Sequence, residues 1–175
     1  MKRIVIFGYS GCGKSTLARQ LGEILDIEPT HMDALHWLPN WVESSVEYKT
    51  ERLKPILKRD RWIVDGNYRR VLWKERLDGA DTIIFLDFNR FLCLYRVIKR
   101  RIMYSGKTRP DMGEGCKEKI DFEFIKWVLW DGRKKKKKNY KLLDFLKNEL
   151  HKNVYVFKRP KNLKKFVEDI ERNDI

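Results

Sequence analysis

Gly8-Tyr9-Ser10-Gly11-Cys12-Gly13-Lys14-Ser15 is the stretch whose reading decides the fold. It has the spacing GxxxxGK[ST]. A short apolar, β-branched run (Lys2 to Phe7) precedes it, and Leu17, Leu21, Ile24 and Leu25 follow at helical spacing. Strand, glycine-rich turn, helix is the setting in which this spacing binds phosphate. The glycines let successive amide N–H groups turn inward as an anion nest, and the following helix adds the positive end of its dipole. Lys14 then reaches the β and γ phosphates of a nucleoside triphosphate, and the Ser15 hydroxyl ligates Mg²⁺. The sequence thus predicts an ATP and Mg²⁺ site built from Gly8, Ser10, Gly11, Cys12, Gly13, Lys14, Ser15 and Thr16.

Outward from that stretch, strand and helix patterns alternate. Strands are predicted at Pro29 to Met32, Trp62 to Val64, Asp81 to Leu86 and Val154 to Phe157. Helices are predicted at about Val46 to Arg59, Val71 to Leu77, Arg90 to Tyr104, Asp121 to Leu150 and from Leu163. Continuous apolar strands alternating with helices imply an α/β fold, a parallel sheet covered on both faces. A length of 175 residues with 42% hydrophobic content fits one domain over 1–175, with a lid-like connector at about 105–120 carrying Gly106, Gly113 and Gly115.

Composition narrows the partners. No apolar run approaches a bilayer span and no signal-peptide pattern opens the chain, so no membrane partner and a cytoplasmic location are expected. Three cysteines without a CxxC pair predict reduced thiols. The formal charge is +14, and it is lopsided: residues 1–88 hold 14 Lys+Arg against 13 Asp+Glu, residues 89–175 hold 25 against 12. Such a basic half attracts polyanions, either nucleotides in a cleft or nucleic acid on a surface. Lys134 to Lys138 form a run that would face nearly every direction on a helix, suited at most to weak, nonspecific nucleic-acid binding.

A phosphate site with Mg²⁺ also needs an acid at a neighbouring strand end. Trp62-Ile63-Val64-Asp65 and Ile83-Ile84-Phe85-Leu86-Asp87 both supply one, and spacing does not choose between them. Arg96 and Arg100 share one helix face, with an apolar stripe of Phe91, Leu94, Tyr95, Ile98 and Ile102 roughly opposite, predicted to face the core.

The motifs together resemble the adenylate-kinase group of P-loop kinases. They are GYSGCGKSTLARQLG, HMDALHWLPNW, WIVDGNY, ADTIIFLDFNRFLCLYRVIKR and RPDMGEGCKEKIDFEFIKWV. The closer likeness is to a branch known as DNA topology modulation proteins. The resemblance implies a P-loop NTPase fold with a five-stranded parallel sheet in the order 2-3-1-4-5, a helical lid insertion, and phosphoryl transfer from ATP to a nucleotide or other small molecule. It favours Asp65 over Asp87 for the Mg²⁺ shell. It sets Arg96 beside adenine and Arg100 on phosphate, with Arg109 and Arg133 neutralising transferred charge. Asp33 becomes a catalytic and substrate-binding acid for the acceptor, in competition with a helix-capping role, and Arg69 an acceptor-phosphate ligand. Asn67-Tyr68 replaces the Phe-Pro usual in adenylate kinases. The rival expectation is a nucleotide-gated nucleic-acid-binding regulator that uses the basic half.

Overall fold

The structure, a computed structural model, describes residues 1–104, 115–116 and 120–172. Most of the connector, with Gly106, Arg109 and Gly113, lies outside the described residues. In chain order the elements are β1 (Arg3–Gly8), α1 (Lys14–Leu25), β2 (Pro29–His31), α2 (Met32–His36), β3 (Trp37–Leu38), β4 (Val42–Glu43), α3 (Val46–Leu57) and β5 (Trp62–Asp65). There follow α4 (Trp73–Gly79), β6 (Thr82–Leu86), α5 (Arg90–Met103), α6 (Phe122–Leu129), α7 (Lys136–Asn148), β7 (Asn153–Phe157) and α8 (Pro160–Glu171).

Five strands make one sheet in the order β2-β5-β1-β6-β7, every pair parallel. Counting only these strands, that is the expected 2-3-1-4-5. Side chains alternate across β1. Ile4 and Ile6 pack with α1, α5 and α8 on one face, while Val5 and Phe7 pack with α3, α4 and α7 on the other. Ile63 and Ile84 join the first cluster, Val64, Ile83 and Phe85 the second. Each such fully buried side chain contributes about 1.5–3 kcal/mol. The core therefore clamps the carboxyl ends of β1, β5 and β6, where the phosphate loop leaves the sheet.

Helix starts differ in a way that matters for binding. Ser45 caps α3, Asn89 caps α5 and Asp121 caps α6, each through a side-chain oxygen that accepts from a backbone N–H. At the start of α1 stands Gly13, left-handed at φ 92°, with no side-chain cap and no acid in the first turn. The first amides of α1 and its dipole are left for an anion.

The apolar stripe on α5 is a correction. Phe91, Tyr95, Ile98 and Ile102 are exposed, and Cys93 and Val97 are the fully buried residues of that helix. The reason is the neighbour. A Cβ on Gly11 would come 2.4 Å from the Cys93 carbonyl and 2.8 Å from Val97 Cγ2, so the loop backbone lies directly on this face and admits only small side chains. Contact with the loop, not hydrophobicity, chose the buried side. A two-stranded hairpin, β3 against β4, was also not expected, and it presents Trp37 and Trp41. Between its strands Asn40 and Trp41 take left-handed angles of φ 62° and 64°. For tryptophan this is an unfavourable conformation that packing must hold. Two residues from the far end of the connector pack there. The Cys116 thiol donates to the Leu38 carbonyl at 3.3 Å, and a Cβ on Gly115 would lie 3.0 Å from Asn40 Oδ1.

Candidate functional site

The phosphate loop opens onto a cleft of about 2080 Å³. A pocket for one drug-sized ligand occupies roughly 300–1,000 Å³, so the cleft exceeds what one such ligand needs. Of the expected residues, Gly8, Ser10, Gly11, Cys12, Gly13, Lys14, Ser15, Thr16, Asp33, Arg69, Arg96 and Arg100 line it. Asp65 and Arg133 do not line the cleft, and Arg109 lies outside the described residues.

Without a ligand the loop satisfies itself. The Tyr9 carbonyl accepts from the Cys12 amide at 3.2 Å and from Lys14 Nζ at 3.2 Å. The Cys12 side chain is buried in the core, and burial pushes its thiol pKa up. Cys12 therefore braces the loop with both its amide and its side chain. Burial by itself would lower the Lys14 ammonium, but its neighbours, Cys12 first and then Asp33 and Asp65, turn the net shift upward. Lys14 stays cationic at neutral pH.

Asn67 explains the departure from Phe-Pro. Its side-chain amide accepts from the Gly8 N–H at 3.1 Å and donates to the Gly8 carbonyl at 2.8 Å. That reciprocal pair extends the β1–β5 pairing by one side chain and fixes where the phosphate loop begins. Asp65, at the end of β5, is buried, and its Oδ1 lies 3.0 Å from His31 Nδ1. Asp87, at the end of β6, is also buried, but Tyr140 OH donates to it at 2.6 Å and Lys136 Nζ lies 2.9 Å away. Asp87 is thus tied to α7 through Oδ2, while its Oδ1 is buried with no hydrogen-bond partner among the described residues. The Ser15 hydroxyl, which lines the cleft, and the Asp65 carboxylate, buried at the end of β5, are both hard oxygen donors of the kind Mg²⁺ takes. Among the described residues no cluster of three or more His, Cys, Asp and Glu forms an all-protein metal cage.

Asp33 and Tyr68 also line the cleft; Tyr68 OH donates to Asp33 Oδ1 at 2.6 Å, and burial followed by the Asp33 charge holds the phenol protonated far above its ordinary range. The His36 ring lies 4.6 Å from that of Tyr68 and 4.5 Å from that of Trp37, and Trp37 and Trp41 are 5.2 Å apart. Sequence reading missed the residue that staples this loop, Lys49. It is buried, and donates to the Ser44 carbonyl at 2.8 Å and to His36 Nδ1 at 2.9 Å. A lysine in an amphipathic helix gives no sign that it points inward.

His36 must be neutral to accept from Lys49. Burial first, then the Lys49 charge, push its pKa below the ordinary imidazole value. The unfolded chain then takes up a proton before the native state does. The stability this contributes is full above the ordinary histidine pKa and is lost as pH falls toward the depressed native value. Between pH 7 and pH 5 we expect wild type to lose more stability than His36→Gln, read as a larger fall in Tm. Identical Tm profiles for the two proteins would refute this account of the His36–Lys49 contact.

The arginines are placed as follows. Arg96 donates to the Cys12 carbonyl at 3.1 Å and lies over the Phe88 ring at 5.2 Å, bracing the loop while it lines the cleft. Arg100 lines the cleft one helical turn further on. Arg133 is turned behind the loop. Its Nη2 donates to the Phe88 carbonyl at 2.9 Å, its Nε to the Val128 carbonyl, and its guanidinium stacks on the Tyr9 ring at 4.0 Å. Burial, then the Asp87 charge, raise the Tyr9 phenol to about 12. Arg133 supports the loop from behind and does not face the space where phosphate would be transferred.

The lysine run is not simply a solvated face. Lys134 and Lys135 line the cleft, Lys134 also pairs with Asp131 at 2.6 Å, and Lys136 joins Asp87.

No family model matches the chain and no curated protein matches it in sequence. Solved structures do match it in shape. A shikimate kinase from Acinetobacter baumannii in complex with shikimate has a TM-score of 0.59 at 15% identity, over 99% of this chain and 94% of that one. A deoxyadenosine kinase from M. mycoides with bound dATP has a TM-score of 0.54 at 16% identity, over 97% of each chain. A gluconokinase from Sinorhizobium meliloti 1021 has a TM-score of 0.51 at 14% identity, over 98% and 90%. At these identities the likeness is one of fold: the chain has the α/β architecture of these P-loop kinases. Among the described residues no helix is long and apolar enough to cross a membrane.

Proposed function

We propose that the chain is an ATP-dependent phosphotransferase acting on a small-molecule or nucleotide acceptor. The observation that carries this reading is one cleft with an uncapped, lysine-bearing helix start on one side and the Asp33–Tyr68 pair on the other. The names of the structural neighbours, kinases of small molecules, support it. The finer likeness, to the adenylate-kinase group and its DNA topology modulation branch, is carried by the sequence motifs alone.

In this reading the loop amides and Lys14 hold the β and γ phosphates, and Arg100 faces the transferred group. Ser15 and, through water, Asp65 would hold Mg²⁺, which when bound neutralises charge on the phosphate oxygens. Asp33 orients the attacking oxygen. That oxygen forms a bond to the γ phosphorus as the bond to the β–γ bridging oxygen breaks. ADP leaves, and where the attacker is a hydroxyl its proton passes to Asp33 or on to solvent. The test is ADP release above background hydrolysis across nucleosides, nucleoside monophosphates and sugars. Stimulation by one class, lost in Asp33→Asn, is the expected result. Stimulation by none, with Mg-ATP bound, would sink the reading.

A further inference from the structure

Helix α5 presents three sides. Cys93 and Val97 lie against the phosphate loop, and Arg96, Lys99, Arg100 and Met103 line the cleft. The third side carries Phe91, Tyr95, Ile98 and Ile102, which are 69%, 60%, 45% and 73% exposed. Four large apolar side chains left in water forgo the burial that holds the rest of the chain together. At the usual size of such side chains they expose on the order of 500 Å² in one stripe, as much as the largest apolar patch of a typical monomer.

We propose that this stripe pairs with the same stripe of a second copy of the chain, forming a weak, reversible dimer whether or not the chain is a phosphotransferase. The residues are spaced four, three and four apart, which is the alternation of a helix–helix seam and reads the same from either end. A two-fold axis passing between Tyr95 and Ile98 therefore sets Phe91 against Ile102 and Tyr95 against Ile98 in both directions, apolar on apolar, with the two helices antiparallel. The opposed helix dipoles favour that orientation. Two such stripes bury about 1,000 Å², the lower bound of a specific interface, which is why the dimer is weak. Charge separates a second copy from an anionic partner. Helix α5 holds five cations and no acid, but Arg96, Lys99 and Arg100 face the cleft, and the stripe itself bears no charge. A lipid surface or a nucleic acid would find nothing on the stripe to pair with its phosphates. Copies of formal charge +14 repel one another, so pairing through an uncharged stripe tightens as salt screens that repulsion.

Sedimentation velocity on the full chain, from about 5 to 500 µM at low and at high salt, reads the pairing. The expected result is a monomer–dimer equilibrium that shifts toward dimer with salt. Tyr95→Glu should weaken it roughly tenfold or more, with little change in Tm because the side chain is exposed. Phe91→Ser with Ile102→Ser removes the outer pairs without adding charge and should do the same. A short thiol-to-thiol linker reads the register. The two copies of Ile98 lie three residues apart along the pair, about 4.5 Å, and the two copies of Ile102 eleven residues apart, about 16 Å. Ile98→Cys should therefore link into a dimer and Ile102→Cys should not, while the native Cys12, Cys93 and Cys116 are buried and should leave wild type unlinked. A monomer throughout the range, a dimer that these substitutions leave intact, or the reverse linking pattern overturns the proposal. Retention on anionic vesicles or on DNA that fades with salt and is lost in Tyr95→Glu, with the chain monomeric, overturns it in favour of an anionic partner.

Discussion

Lys14→Ala is expected to leave the chain folded and to weaken Mg-ATP binding by roughly 10- to 100-fold, as follows from losing a charge-assisted contact to phosphate. Transfer should fall further, by about three orders of magnitude, because the same cation must follow charge onto the transferred oxygens. Folding should survive for a structural reason. Lys14 Nζ donates to the Tyr9 carbonyl, and the Cys12 amide donates to that same oxygen. The carbonyl is not orphaned by the change. Calorimetry on the folded variant checks this, and unchanged ATP affinity would remove the basis for the phosphate site.

The second large effect separates two aspartates at neighbouring strand ends. Asp65→Asn should lower Mg²⁺-dependent turnover by roughly 100-fold with little change in Tm, since the asparagine Oδ1 still meets His31. Asp87→Asn should do the reverse. It weakens a buried anchor that takes a hydroxyl from Tyr140 and a cation from Lys136, and we expect a cost of about 1–3 kcal/mol, several degrees in Tm, with a smaller loss of turnover. Paired melting curves and turnover measured against Mg²⁺ concentration read both. Greater catalytic damage in Asp87→Asn than in Asp65→Asn, with both folded, would reassign the metal's acid.

Asp65 against Asp87 also illustrates the limit of reading from sequence. Both segments are apolar runs ending in aspartate, and nothing local distinguishes them. What separates them is that α7, about fifty residues after Asp87, delivers Tyr140 and Lys136 to one carboxylate, while β2 delivers His31 to the other. Lys49 was illegible for the same reason, because its partners belong to a loop whose path the sequence does not announce. The α5 stripe was misread for a different one. Periodicity gives the spacing of a face but not which face is covered, and here the cover is the bare backbone of Gly11 against Cys93 and Val97.

By itself the sequence determined the alternation of strand and helix, the parallel sheet and the phosphate loop. These rest on local properties: apolar strands bounded by turns, helical spacing after a glycine-rich motif, and the conformational freedom of Gly11 and Gly13. Tertiary structure decided how the charged residues divide their work. It turned Arg133 behind the loop, set Arg96 on the Cys12 carbonyl, tied Arg69 to Asn139, and brought Lys134 and Lys135 to the cleft. Long charged side chains reach several ångströms in many directions at little local cost, so their positions follow from partners that are distant in sequence and close only once the sheet has assembled.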